Sequence, residues 1–298
     1  MQYSTFAAID IGSYDVILEI FEISKKQGIR SVDKICHRME LGKDTYTLGK
    51  IRPEMEEELC RVLADFVRIM EGYRVDDYRA TASSAISEAS NSLYVLGKIH
   101  QLTGLSVTVL SNSEQRFLSY KALAAMEDNF NKIIEKGTAI LDLDGGSFQI
   151  SLFDKDTLVS TQNLRLGVLR LQELLNHLNA GSTQMERLVD ELATAQLDDY
   201  KKLYLKDREI KNIIIVDDYL SPWAVRKAHE RGEVNAVVDR KAFSQLMEAL
   251  RTKGTTELAK RMDIAEEKVP LVYISAILTR RIAELMGAEL VWAPGVTL

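Results

Sequence analysis

The sequence predicts an α/β protein built from two similar halves, and three observations carry that reading. Apolar runs of strand length alternate with amphipathic stretches of helix length, the pattern of strands joined by crossover helices. One strand-turn-strand grammar occurs twice, as FAAIDIGSYDVILEIFEIS near the start and as AILDLDGGSFQISLFD from residue 139. At 298 residues the chain is long for one core and suits about two domains.

Each element has a local reason. YSTFAAIDIG and VILEIFEIS read as strands around a Gly-Ser turn, and IRSVDKICHRMEL as a third, which makes a leading β-meander. PEMEEELCRVLADFVRIMEGY opens on Pro53 and early glutamates and aligns Leu59, Val62, Leu63, Phe66 and Ile69 on one face, an amphipathic helix. DYRATASSA follows as a strand, SNSLYVLGKIHQLTG as a helix closed by glycine, LSVTVLS as a strand and SEQRFLSYKALAAMEDNF as a long helix. The pattern then restarts with GTAILDLDGGSFQISLFD, TLVSTQN and the helix start LGVLRLQELL, so the expected domains are 1–124 and 125–298. The remainder, from STQMERLVDELATAQ to RRIAELMGAELVWAP, reads as mainly helical with one buried strand, IKNIIIVDD. No low-complexity linker interrupts it.

Composition narrows the function classes. Acidic residues outnumber basic ones 44 to 38, a net charge of −6, so the molecule as a whole is no electrostatic trap for nucleic acid or an anionic membrane, and neither is an expected partner. Cys36 and Cys60 lack metal-ligand spacing and suit a reducing cytoplasm, and the four histidines are scattered. No apolar run approaches the roughly 20 residues that span a bilayer, and no basic-then-apolar leader opens the chain, so a cytoplasmic location is expected. Whether the chain forms a homodimer is left open.

The two loops carry the chemistry. In Asp10-Ile11-Gly12-Ser13 and in Asp142-Leu143-Asp144-Gly145-Gly146-Ser147 an aspartate closes an apolar strand and small residues make the turn. Glycines there let backbone N–H groups approach an oxyanion without a Cβ in the way, and a hydroxyl adds a donor. An aspartate beside such a cradle can hold a divalent cation that neutralises phosphate charge. Either loop alone is a common structural turn, but two at corresponding places in two halves suggest a phosphate clamp.

AAIDIGS, TASSAISEASN, VLSNSEQ, LDLDGGSFQI and LRLGVLRLQELL occur in the order and spacing of the exopolyphosphatase/guanosine pentaphosphate phosphatase family, a branch of the actin-like ATPase superfamily. The resemblance runs over residues 6 to about 175 and thins beyond, and the length is similar to that of short members with only the two actin-like domains. It implies two actin-like (ribonuclease H-like) domains with an interdomain cleft, and hydrolysis of a terminal phosphoanhydride of polyphosphate or guanosine pentaphosphate with Mg2+. Carried over by motif, Asp10 and Asp142 would hold the metal. Gly12, Ser13, Gly145, Gly146, Ser147 and Arg170 would bind phosphate, and Glu114 would be one catalytic acid. The family's second acid, the glutamate closing Gly-Gly-Gly-Ser-Thr-Glu, falls on Gln149, and an amide cannot accept the proton of an attacking water.

Other departures point the same way. Asp15 and Ile17 stand where the family has a polar residue and an arginine, Ser87 where it has a second arginine, and Asp144 where it has the first glycine of the triple. Asp217 and Asp218 occupy a later Gly-Gly-Thr segment. Two readings follow: a phosphoanhydride hydrolase impaired at Gln149, or a catalytically inactive sensor or interaction protein of the same fold that binds nucleotide or polyphosphate.

Overall fold

The computed structural model describes residues 3–26, 28–126, 134, 137–155, 157–205, 208–233, 236–288 and 290–294. Two compact units divide at Ser113/Glu114.

In the first unit the alternation in FAAIDI sends Ala7, Ile9 and Ile11 to one face, where all three are buried. This strand, β1 (Ser4–Ile11), pairs antiparallel with β2 (Asp15–Ser24), and β2 with β3 (Gly28–Arg38). Two further strands, β4 (Asp77–Ala82) and β5 (Val107–Val109), run parallel to β1, giving the order β3-β2-β1-β4-β5. Helix α1 covers Leu41–Leu48, and α2 (Pro53–Tyr73) starts at proline and buries Leu59, Leu63 and Phe66 against Ile9, Val16 and Leu18. A one-turn helix, α3 (Ser84–Ser87), follows β4, and α4 (Ser92–Thr103) ends at Gly104 in the left-handed conformation that glycine adopts without strain.

The second unit repeats the scheme. After α5 (Asn112–Met126), strands β6 (Thr138–Leu143), β7 (Phe148–Asp154) and β8 (Thr157–Leu164) form an antiparallel meander. The helix expected over 113–130 is thus described as far as Met126, its last residues lying outside the described ones. Helices α6 (Val168–His177) and α7 (Ser182–Tyr200) lead to β9 (Asn212–Asp217), which runs parallel to β6. The rest is helical, α8 (Ser221–Glu230), α9 (Arg240–Thr252), α10 (Thr255–Met262) and α11 (Val269–Met286), with two short strands that the pattern did not reveal, β10 (Val237–Asp239) and β11 (Leu290–Trp292). The order is β10-β11-β9-β6-β7-β8.

Both sheets therefore share one plan, a three-stranded meander whose first strand pairs with a parallel strand reached through helices. This is the internal duplication that the repeated turns suggested. Among the described residues no helix is long and apolar enough to cross a membrane.

Candidate active site

The two turns are the same hairpin built from different residues. Asp10 lies directly across from Ile17 in the first, and Asp142 directly across from Gln149 in the second. Each turn closes over four residues, with Gly12 N–H donating to the Asp15 carbonyl at 3.0 Å and Asp144 N–H to the Ser147 carbonyl at 3.0 Å. Ile17 and Gln149, two of the departures seen in the sequence, thus occupy one register position of a duplicated element. Gly12 needs its missing side chain, because a Cβ there would sit 2.8 Å from the Asp15 carbonyl oxygen and 3.6 Å from Asp10 Oδ2. Asp144, at the matching position, has a Cβ and turns its carboxylate onto the loop, accepting from Gly145 N–H at 2.6 Å.

In the first unit Ser13 is buried, and its hydroxyl is 2.7 Å from Tyr46 Oη, which is 2.9 Å from Ser84 Oγ. Gly42 N–H donates to the Ser13 carbonyl at 2.8 Å, so α1 holds this turn from both its backbone and its side chain. Ser87, in α3, is exposed.

The second turn sits at the end of a covered sheet face. Leu123 of α5 packs with Ile140, Phe153, Ile214 and Val216, and Tyr120 meets Phe153 edge-on with ring centroids 5.5 Å apart. Period-two alternation places Asp142 on the face of Ile140 and Gln149 on that of Phe153. The row pairs Thr138 with Phe153, Ile140 with Ser151 and, at its end, Asp142 with Gln149, so each of the first two pairs joins a polar to an apolar residue and the last is wholly polar. Asp142 is 7% exposed and Gln149 2% exposed. From α5, Ser119, itself buried, donates its hydroxyl to Asp142 Oδ2 at 2.9 Å.

Burial pushes the Asp142 carboxyl up to about 7, and the negative fields of Asp144, Asp218 and Asp217 act in the same direction, with the Ser119 hydrogen bond opposing them. Gln149 Oε1 is buried with no hydrogen-bond partner. An orphaned amide oxygen across from a carboxylate that lacks a compensating charge is a donor set fit for a hard divalent cation, which takes oxygen ligands and keeps waters or phosphate oxygens in the remaining positions. Among the described residues no group of three or more His, Cys, Asp or Glu side chains has metal-binding geometry.

A sequence model of the Ppx/GppA phosphatase family matches residues 19–291. The chain belongs to this family. Among curated proteins it is 22% identical over 210 residues to a bifunctional 3-dehydroquinate synthase/phosphatase of Fusobacterium nucleatum, covering 66% of this chain and 31% of that one. It is 25% identical over 144 residues to exopolyphosphatase 1 of Mycobacterium leprae, covering 48% and 41%. The chain thus spans only about a third to two-fifths of the length of these relatives. Its fold matches the Ppx/GppA structure from Aquifex aeolicus with a TM-score of 0.73 at 18% identity, over 98% of this chain and 93% of that one. An exopolyphosphatase from Cytophaga hutchinsonii matches with a TM-score of 0.83 at 16% identity, over 98% and 95%. The expected α/β architecture of two actin-like units is the one observed.

Within this Ppx/GppA chain the remaining sequence-derived residues take definite places. Gly145, Gly146 and Ser147 are buried, and Arg170 on α6 is half-buried, its Nε donating to the Gly146 carbonyl at 2.9 Å while its own N–H donates to the Gly145 carbonyl at 3.0 Å. Arg170 therefore braces the glycine turn through its carbonyls. Glu114 is exposed in the first turn of α5, where an acid suits the positive end of the helix dipole, and its neighbour Gln115 is the buried one of the pair. Asp217 is committed to structure, accepting from Leu220 N–H at 2.9 Å, Ser221 N–H at 2.7 Å and Ser275 Oγ at 2.6 Å. Sequence reasoning missed Ser119, which sits on a covering helix and carries no motif signal.

Gly167 is the tightest point of the site. A Cβ there would lie 2.2 Å from the Gly146 carbonyl carbon, 2.3 Å from the Gly145 oxygen and 2.4 Å from Ser147 N, all backbone atoms that cannot swing aside. Gly167→Ala is expected to cost about 3 kcal/mol, the upper end of overpacking penalties, and to displace the turn. Urea unfolding of the variant beside the parent measures it, and equal midpoints would show that the loop yields freely.

Proposed function

We propose that this Ppx/GppA chain is a divalent-cation-dependent hydrolase of terminal phosphoanhydrides, acting on polyphosphate or guanosine pentaphosphate, with turnover held low by Gln149. The observation that carries the reading is the Asp142/Gln149 pair: a buried carboxylate with a raised pKa faces a buried amide oxygen that has no partner, beside a two-glycine turn. Asp142 and the Gln149 amide oxygen would hold magnesium, and Asp10 would take the corresponding part in the first unit. When bound, the cation would neutralise phosphate charge and polarise the terminal phosphoryl group.

This chain's own groups do the rest. The glycine turn presents backbone where a phosphate oxygen can approach without a Cβ, and Arg170 and Gly167 keep that backbone in place. Asp144 works against it, since its carboxylate occupies the Gly145 N–H that would otherwise donate to an oxyanion and adds like charge. Gln149 cannot take a proton from water, which removes a contribution typically worth ~10²–10⁴-fold. Glu114, exposed and acidic, is the side chain proposed to orient or activate the water.

Gln149 and Asp144 also support a second reading, a chain that binds a polyphosphate or nucleotide without cleaving it and acts as a sensor or interaction protein. The two readings separate in one comparison: phosphate release and equilibrium binding measured side by side on polyphosphate, guanosine pentaphosphate and a phosphate monoester. Slow release from an anhydride substrate supports hydrolysis. Tight binding without release supports the sensor, and neither binding nor release on any anhydride sinks both.

A further inference from the structure

Ser119 stands outside every motif, yet it makes the hydrogen bond that orients the central acid. The residue is 1% exposed, on the inward face of α5, and its hydroxyl donates to Asp142 Oδ2 at 2.9 Å, while Asp142 itself is 7% exposed. The same hydroxyl is 3.3 Å from the Gln115 carbonyl one turn earlier, an alternative acceptor that a serine in mid-helix ordinarily uses. A hydroxyl has one proton, and the shorter contact to the charged partner is the stronger bond. With Oδ2 committed to this donor, Oδ1 is the oxygen left for any other positive partner, and the unpartnered Gln149 Oε1 lies on the strand directly across. Ser119 also ties α5, whose first turn carries Glu114, to the end of β6.

We propose that Ser119 is a positioning residue for the cation, fixing the Asp142 carboxylate in one rotamer so that a divalent ion is held through Oδ1 together with the Gln149 amide oxygen. This rests on the cation-dependent reading above. Groups that hydrogen-bond a metal ligand from behind set its direction, and their loss typically weakens the metal 10–100-fold. Without Ser119 the carboxylate can rotate or turn both oxygens to the ion, and the ordering cost falls on binding.

The test is calorimetric titration of manganese chloride into the parent protein, Ser119→Ala and Ser119→Thr, read as dissociation constants alongside melting temperatures in chelator. The expected result is a dissociation constant raised about 10-fold in Ser119→Ala and within about threefold of the parent in Ser119→Thr, which keeps the hydroxyl. An alanine variant that binds manganese as the parent does while melting lower overturns the inference, leaving Ser119 a packing residue. So does a threonine variant as weak as alanine, because the hydroxyl would then not be the active feature. A parent that binds no manganese overturns the cation-dependent reading and this inference with it.

Discussion

Replacing Gln149 by glutamate is expected to raise the cation-dependent rate of phosphate release by about 10²-fold, the lower end of what a positioned general base contributes. The reason lies in the pairing. Residue 149 faces Asp142 across adjacent strands, so a glutamate there would place a second carboxylate, able to take a proton from water, beside the first. The same change has an opposite effect on the empty protein: two carboxylates directly across a strand pair repel, and the variant should melt below the parent in chelator and recover when magnesium is added. The gain should appear in kcat. Apparent affinity should improve only when Asp144→Gly is added, which frees the Gly145 amide and removes a negative charge from the cradle. Steady-state kinetics of both single variants and the double variant measure this. A Gln149→Glu rate no faster than the parent's would place the base elsewhere, with Glu114 the first candidate.

The second large effect is on stability. The Asp142 carboxyl is raised from 3.8 in the unfolded chain to about 7 in the folded one, so the protonated form favours folding. Its contribution is fully present below pH 4, declines as pH rises and is gone above pH 7, an interval worth on the order of 4 kcal/mol. In excess chelator the parent should therefore be less stable at pH 8 than at pH 4.5 through this group. Asp142→Asn should lack that slope, and the two stability curves should converge toward pH 4. Added magnesium should restore the parent at pH 8 and leave the asparagine variant little changed. Urea unfolding at the two pH values, with and without magnesium, supplies the four comparisons. An asparagine variant with the parent's full pH slope would show that Asp142 is not the responsible acid.

Much of the architecture could be read from the chain because its signals are local. Alternation in FAAIDI and in AILDLD marks strands, Pro53 and the apolar spacing behind it mark α2, and Gly104 ends α4 where predicted. The repeated Asp-then-glycine turns announced the duplication, which the two sheets display. What escaped depends on tertiary partners. β10 and β11 are three residues each, too short to show a period, and exist because β9 offers an edge to β11, and β11 in turn to β10. The helix Leu41–Leu48 begins on a glycine-containing stretch of weak helical pattern, and Gly42 packs against Ser13, a contact between residues far apart in the sequence.

The site divides in the same way. That Asp142 faces Gln149, and Asp10 faces Ile17, follows from the length of each hairpin turn and could have been read directly. The folding of Asp144 onto the next amide is also local, the habit of an aspartate at a turn. Ser119 and Gly167 belong to other elements that fold onto the turn, and no spacing rule reaches them. Arg170 illustrates the difference most clearly: its motif suggests a phosphate ligand, while its Nε and backbone hold the carbonyl side of the glycine turn.

The measurement that bears most directly on the account is phosphate release from polyphosphate by the unaltered chain, in saturating magnesium and again in excess chelator. The account predicts slow release with magnesium and none with chelator. Release that proceeds equally well in chelator would contradict it, because Asp142 and Gln149 would then have no cation to hold.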